Sequence, residues 1–202
     1  MLRALLRDVF DLVVPPRASE RVVRTLSLDE LQTLRAADGC LPYHDPRVTA
    51  LIWEIKYRAN KSAAALGGIL LYEELLALAT EELGAPLLVP IPMHQNRRRQ
   101  RGHNHTEVLC VAALAHLGNA YEYAPNTLRR IIDTKTQQGL PKAERLRNVV
   151  RSMEAVQTER IAGRVCVVVD DVATTGATLA EARRALRAAG ARGVHTIALA
   201  RS

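Results

Sequence analysis

Apolar positions recur at helical spacing through the first sixty residues, and from Pro86 onward they alternate between helical spacing and short unbroken runs. Leucines over residues 1–13 are interleaved with Arg3, Arg7, Asp8 and Asp11, which predicts an amphipathic helix rather than the apolar centre of a signal peptide. Ser27 followed by Glu30 is a capping box that opens a helix over Leu28, Leu31 and Leu34. Asp45-Pro46 supplies an N-cap and a first-turn proline. Val48, Leu51, Ile52 and Ile55 then recur every three or four residues, up to a stop near Tyr57 and a turn at Asn60. A second helix is predicted from about Ser62 to Leu83, ended by Gly84.

The apolar run from Pro86 to Ile91 reads as a short strand, and residues 105–117 as a helix ending at Gly118. Val165-Cys166-Val167-Val168-Val169 is an unbroken, mostly β-branched run, the mark of a strand buried on both faces. A helix from Thr178 to Ala189 follows, with Gly190 at its C′ position, and then a last strand from Val194 to Ala200. Strand, helix and strand joined by short connections form a βαβ unit and hence a parallel sheet. The predicted fold class is α/β, a parallel sheet flanked by helices with a small N-terminal helical region. The expected division is residues 1–60 and residues 61–202.

Composition narrows the function. The chain has 202 residues, 48% of them hydrophobic, enough for one domain with a real core. Aromatics are 3%, which leaves little material for a nucleic-acid binder built on base stacking. The net charge of +7 favours polyanionic partners such as phosphates or nucleic acid. Cys40, Cys110 and Cys166 are widely spaced, so neither a disulfide framework nor a CxxC metal site is expected, and the cytoplasm is the expected compartment. No apolar run approaches the length of a membrane span.

Three segments carry candidate chemistry. The first is VCVVVDDVATTGATL, residues 165–179, where a buried strand delivers Asp170 and Asp171 to a loop of small and hydroxyl residues before a helix. Ligands of open α/β sheets bind outside the carboxyl ends of the strands, and a helix N-terminus attracts anions. Thr174, Thr175 and Thr178 add hydroxyls, and Gly176 allows close backbone approach. Two acids suit paired hydroxyls and the threonine loop suits a phosphate; a phosphorylated ribose offers both. The second segment, VPIPMHQNRRRQRGHN, residues 89–104, places Arg97, Arg98, Arg99 and Arg101 in what reads as a basic loop. The reading is a pyrophosphate grip, against the alternative of a solvated charge run. His103 and His105, without Cys or carboxylate at ligand spacing, do not make a metal signature. The third, RRIIDTKTQQGLPKAERLRNV, residues 129–149, reads as a basic lid running into a helix from Lys142, or else as a surface connection.

The first segment resembles the phosphoribosyl pyrophosphate (PRPP) motif of type I phosphoribosyltransferases, and the three together resemble the ComF/GntX family, linked to DNA uptake in natural transformation. The helix ending in Ile55-Lys56-Tyr57 fits as well, and DVFDLVVPPR resembles the family's leader. The resemblance implies that Asp170 and Asp171 are the catalytic pair and face the ribose hydroxyls. Ala173, Thr174, Thr175, Gly176, Ala177 and Thr178 would hold the 5′-phosphate. Pro92, Met93, Arg97, Arg101, Arg129 and Lys135 would hold the pyrophosphate, with Mg²⁺ entering with PRPP near Asp170 and Asp171. The family usually carries a four-cysteine zinc ribbon, its first CxxC directly after Pro-Pro-Arg. Here Ala18-Ser19-Glu20-Arg21 stands in that place and Cys40 alone remains near the second pair, so no zinc is expected. The implied function is Mg²⁺-dependent phosphoribosyl transfer linked to DNA uptake. The alternatives are a non-catalytic PRPP-binding module, or a single-stranded-DNA-binding module that works with competence translocation proteins and contacts the DNA backbone rather than its bases.

Overall fold

The computed structural model describes residues 16–133 and 150–202. The pattern over residues 1–13, Lys135 and the helix expected from Lys142 lie outside the described residues. Eight helices and seven strands are described: α1 (Pro16–Thr25), α2 (Leu28–Leu34), β1 (Leu41–Pro42), α3 (Pro46–Arg58), α4 (Lys61–Thr80), β2 (Leu87–Pro90), α5 (Gln95–Arg101), α6 (His105–Leu117), β3 (Glu122–Tyr123), β4 (Leu128–Arg130), β5 (Met153–Ala155), α7 (Thr158–Ile161), β6 (Val165–Ala173), α8 (Ala177–Ala188) and β7 (Gly193–Arg201).

Five strands form a parallel sheet in the order β1-β7-β6-β2-β3, and β4 pairs antiparallel with β5 beside it. β6 is the middle strand, and its period-2 alternation sorts its side chains between two cores. Val167 and Val169 join Leu51, Ile55, Leu71 and Leu109 on the side of α3, α4 and α6. Cys166 and Val168 join Leu179, Ala182 and Leu186 on the side of α8. Burial on both faces is why this stretch is so rich in valine.

The N-terminal helical region shares the first core: Val23, Leu26, Leu31, Leu41 and Val48 lie in the same cluster as Leu70 and Leu75. Both predicted caps are present. Ser27 and Glu30 bond reciprocally, and Asp45 accepts from the Arg47 N–H ahead of Pro46. α4 is long and apolar enough to cross a membrane by length and composition. Its packing is that of a core helix: a Cβ on Gly68 would stand 2.6 Å from Ala112 Cβ, so the small residues let α4 and α6 approach closely.

Four expectations need correction. Asn60 is the N-cap of α4, accepting from Ser62 and Ala63, and not merely a turn. The segment read as a basic loop contains helix α5, capped by His94 and ended by Gly102 at φ 81°. The third segment begins as strand β4, because Met153–Ala155 supplies a partner strand. β6 runs through both acids to Ala173, because β7 extends to Arg201 and keeps the ladder going.

Candidate functional site

The chain leaves β2 for β3 through α6 on one face of the sheet, and leaves β6 for β7 through α8 on the other. The crossovers diverge between β2 and β6, and the crevice at their carboxyl ends is the general ligand position of such sheets. The β2–β6 register stops at Pro90 opposite Val169, closed by the Ile91 N–H donating to Val169 O at 2.9 Å. On the other side β6 stays paired with β7 to Ala173. Asp170 and Asp171 therefore open on the β2 side only, within a strand and not beyond it.

Alternation sends the two acids apart. Asp171 follows Val167 and Val169 to the first face, where Lys56 Nζ of α3 stands 2.9 Å from Oδ2 and His105 Nε2 of α6 stands 3.4 Å from Oδ1. Arg101 Nη1 lies 3.3 Å from His105 Nδ1. A guanidinium only donates, so Nδ1 accepts and the ring proton sits on Nε2, facing Asp171. Burial lowers the His105 pKa, which agrees with a neutral ring. Burial alone would raise the Asp171 pKa and lower that of Lys56. Their mutual attraction wins: Asp171 is held well below the usual carboxylate range and Lys56 above the usual lysine value.

Asp170 turns to the other face. Among the described residues no cationic side chain bonds it; its Oδ1 accepts only the Asp171 N–H at 2.9 Å. Burial, together with the charge of Asp171, raises its pKa to about 7. The Lys56 ammonium opposes that rise. The charge of Asp170 in turn reaches Arg130, whose Nε donates to Pro92 O at 3.1 Å.

Beyond Ala173 the loop opens, with Thr174 exposed and Thr175 through Thr178 half-buried. Gly176 has φ 73° and is the N-cap of α8, so the capping residue itself offers no side chain to the free N–H groups of the first turn. Thr175 Oγ1 accepts from the Ala177 N–H at 3.4 Å. Among the described residues Thr174 and Thr178 have no side-chain partner, so three hydroxyl-bearing residues surround a helix start that has only the long Thr175 contact as a cap.

The remaining candidates divide. Pro92 and Met93 line the turn after β2, half-buried beside the crevice. Arg97 Nε is 3.4 Å from Asp133, and Arg98 pairs with Glu107 at 2.7 Å. Arg101 leans over Tyr57 with its carbon 4.6 Å from the ring centre. Arg129 is exposed on β4 and paired with Glu154, so it points away from the crevice. Arg130, two residues from buried Leu128 and on its face of the strand, points inward.

The sequence assigns Lys56 and His105 no role, and Arg130 only a place in the basic lid. The signals for two were there: Lys56 lies four residues after buried Ile52, and Arg130 two after Leu128. His105 has no carboxylate at ligand spacing in the sequence and gains two in space. One ligand atom each from His105, Asp170 and Asp171 lie within 4.8 Å of one another. His103 is structural, its ring nitrogens at 3.2 Å from Arg101 O and Ile55 O. The cysteines occupy separate places: Cys40 Sγ donates to Ala198 O, while Cys110 and Cys166 lie in cores on opposite faces.

A family model described as a phosphoribosyl transferase domain matches residues 108–202. The DNA utilization protein YhgH of Salmonella typhi is 33% identical over 161 residues, covering 79% of this chain and 69% of that protein. Competence protein F of Haemophilus influenzae is 31% identical over 128 residues, covering 62% of this chain and 55% of that protein. The chain belongs to the ComF family of phosphoribosyltransferase-like proteins. Among solved structures, the glutamine PRPP amidotransferase from B. subtilis aligns with a TM-score of 0.44 at 20% identity, covering 73% of this chain and 30% of that one. In this ComF-family chain the helices α1 and α2 and strand β1 follow the Pro-Pro-Arg where relatives were expected to carry a zinc ribbon.

Proposed function

We propose that this protein binds PRPP with Mg²⁺ in the crevice between β2 and β6 and transfers its phosphoribosyl group to an acceptor. The observation that carries the reading is the junction of an acid pair with a threonine-lined, glycine-capped helix start at the sheet's switch point. A 5′-phosphate would take the free N–H groups of α8 and the hydroxyls of Thr174, Thr175 and Thr178. Asp170 would accept from a ribose hydroxyl, its oxygens being free of cationic side chains. Asp171, already neutralised by Lys56, would present a fixed carboxylate edge to the second hydroxyl. Arg130 and the turn at Pro92 and Met93 support a pyrophosphate seat opposite, with Arg97 and Lys135 proposed to join it.

The donor set fits a hard cation, since Asp170 offers carboxylate oxygens that, among the described residues, no ammonium or guanidinium bonds. Bound through PRPP, Mg²⁺ would draw off charge from the departing pyrophosphate. The bond between the anomeric carbon and the pyrophosphate oxygen would break, pyrophosphate would leave with that electron pair, and the acceptor would attack the opposite face of the ribose. The names of the relatives support a place in DNA handling, with single-stranded DNA and competence translocation proteins as proposed partners and the cytoplasm as the proposed compartment.

The test is a thermal melt of the full chain with PRPP and Mg²⁺, followed by pyrophosphate release over a panel of acceptors. A ligand-dependent rise in melting temperature, with release stimulated by one acceptor class, is expected. No rise at saturating PRPP would remove the reading; a rise without release for any acceptor would leave a binding module.

A further inference from the structure

The sequence contains one Trp, five Tyr and one Phe, and Phe10 lies outside the described residues. Of the other six, Tyr121 belongs to the first core cluster and Tyr43, Tyr72 and Tyr123 pack against it. Trp53 and Tyr57 do neither. They stand four residues apart on α3, their ring centres 5.2 Å apart and tilted by 43°. The Arg58 guanidinium lies 5.5 Å over Trp53, and that of Arg101 lies 4.6 Å over Tyr57. Tyr57 is 45% exposed and Arg58 is exposed as well, while Trp53 and Arg101 are half-buried, so the row opens to solvent at Tyr57 and Arg58.

In a chain this poor in aromatics, Trp53 and Tyr57 join neither core cluster, and Tyr57 is exposed. Rings alternating with guanidinium planes, flanked by positive charge, are the surface on which unpaired bases stack. The ladder is also wired to the acid pair: Arg101 bonds His105, and His105 faces Asp171. Arg99 on α5 and Lys61 at the start of α4 are exposed and, among the described residues, make no ion pair, so they supply charge for a backbone running past the ladder.

We infer that Trp53, Tyr57, Arg58 and Arg101 form a stacking platform for an unpaired base of single-stranded nucleic acid. Apart from Arg101, which the resemblance assigns to the pyrophosphate, the platform lies outside the proposed phosphate and ribose contacts, so Trp53, Tyr57 and Arg58 do not depend on PRPP being bound. It adds base stacking to the backbone contact expected from composition, through a half-buried tryptophan and an exposed tyrosine placed together on α3.

Trp53 is its own reporter. The full chain is titrated with a short single-stranded oligonucleotide and with an abasic strand of equal length and charge, following tryptophan fluorescence. The base-bearing strand should quench saturably and bind roughly tenfold more tightly than the abasic one, the weight of one stacked base. Tyr57→Ala should lose that advantage and leave the salt slope unchanged, whereas Tyr57→Phe should keep it. Arg99→Ala should flatten the slope and weaken both strands equally. Unchanged circular dichroism and an unchanged PRPP melting shift in Tyr57→Ala would show that the fold and the proposed PRPP site are intact. Equal binding and quenching by the abasic strand, full affinity in Tyr57→Ala, or quenching by free mononucleotide as tight as by the strand would each overturn the platform.

Discussion

On the face of the sheet covered by α3, α4 and α6, Asp171 is held by Lys56 at 2.9 Å and by His105 at 3.4 Å. On the face covered by α8, the adjacent Asp170 is hydrogen-bonded, among the described residues, by a backbone N–H at 2.9 Å and by no cationic side chain. The two residues are chemically identical and consecutive, so the difference comes from strand alternation and from what each face brings. It gives one carboxylate a fixed negative charge, as part of the structure, and leaves the other with a proton affinity near neutrality. A sequence reading that treats the pair as one unit misses this division.

The sharpest way to break the comparison is to remove each acid in turn. Asp171→Asn strands the Lys56 ammonium, and breaking a buried pair costs about 3–5 kcal/mol. The Lys56 side chain is 27% exposed, so about 2–3 kcal/mol is expected here. Denaturant melts of the ligand-free chain should show it, and Lys56→Met added to Asp171→Asn should recover much of the loss. A harmless Asp171→Asn would mean that the pair is not structural.

Asp170→Asn should behave in the opposite way. With its pKa raised from 3.8 to about 7, folded Asp170 keeps a proton that the unfolded chain has released. Stability in the wild type therefore falls as pH rises across that window, and the asparagine removes the fall. At about pH 8 the free variant should be at least as stable as the wild type. It should also lose the PRPP melting shift, about 2.7 kcal/mol at a hundredfold ligand excess. A free protein weakened by the change, or a shift that survives it, would erase the proposed division of labour.

Next come the two arginines of β4. Arg130→Ala should raise the PRPP dissociation constant about tenfold, the weight of a charge-assisted hydrogen bond. Arg129→Ala, which loses only an exposed pair with Glu154, should change stability by less than about 0.5 kcal/mol and binding not at all. Isothermal titration of both variants decides which face of the strand meets the ligand. The smallest effect is on the loop. Gly176 has φ 73° but open space where a Cβ would go, so Gly176→Ala meets backbone strain alone, about 1 kcal/mol. Melts with and without PRPP should register that loss.

The fold was largely legible because its signals are local. The valine run, the Ser27 capping box and the Asp45-Pro46 start each specify an element within a few residues, and all three elements formed. The site was legible where one segment holds all its parts, as in residues 170–178. It was not legible where the parts come from separate elements: Lys56 and His105 stand 49 positions apart in the chain and converge on Asp171 only through packing of α3 and α6 against β6. Short strands such as Met153–Ala155 escaped because three residues carry no readable period, and their state is set by a partner strand.

The strand order has a consequence for how the molecule is made. β1 and β2 are never neighbours; β7 and β6 stand between them, and these are the last strands in chain order. Until Val165 and the residues after it are synthesised, Leu41–Pro42 has no strand to pair with and β2 has only the two-residue β3. The apolar helix α4 then waits on the ribosome with its sheet unbuilt. Long-range parallel pairing of this kind is slow and exposes hydrophobic surface meanwhile. Nascent chains stalled before residue 165 should therefore be protease-sensitive and held by chaperones, and emergence of β6 and β7, rather than any earlier landmark, should be the moment at which the acid pair first meets its lysine.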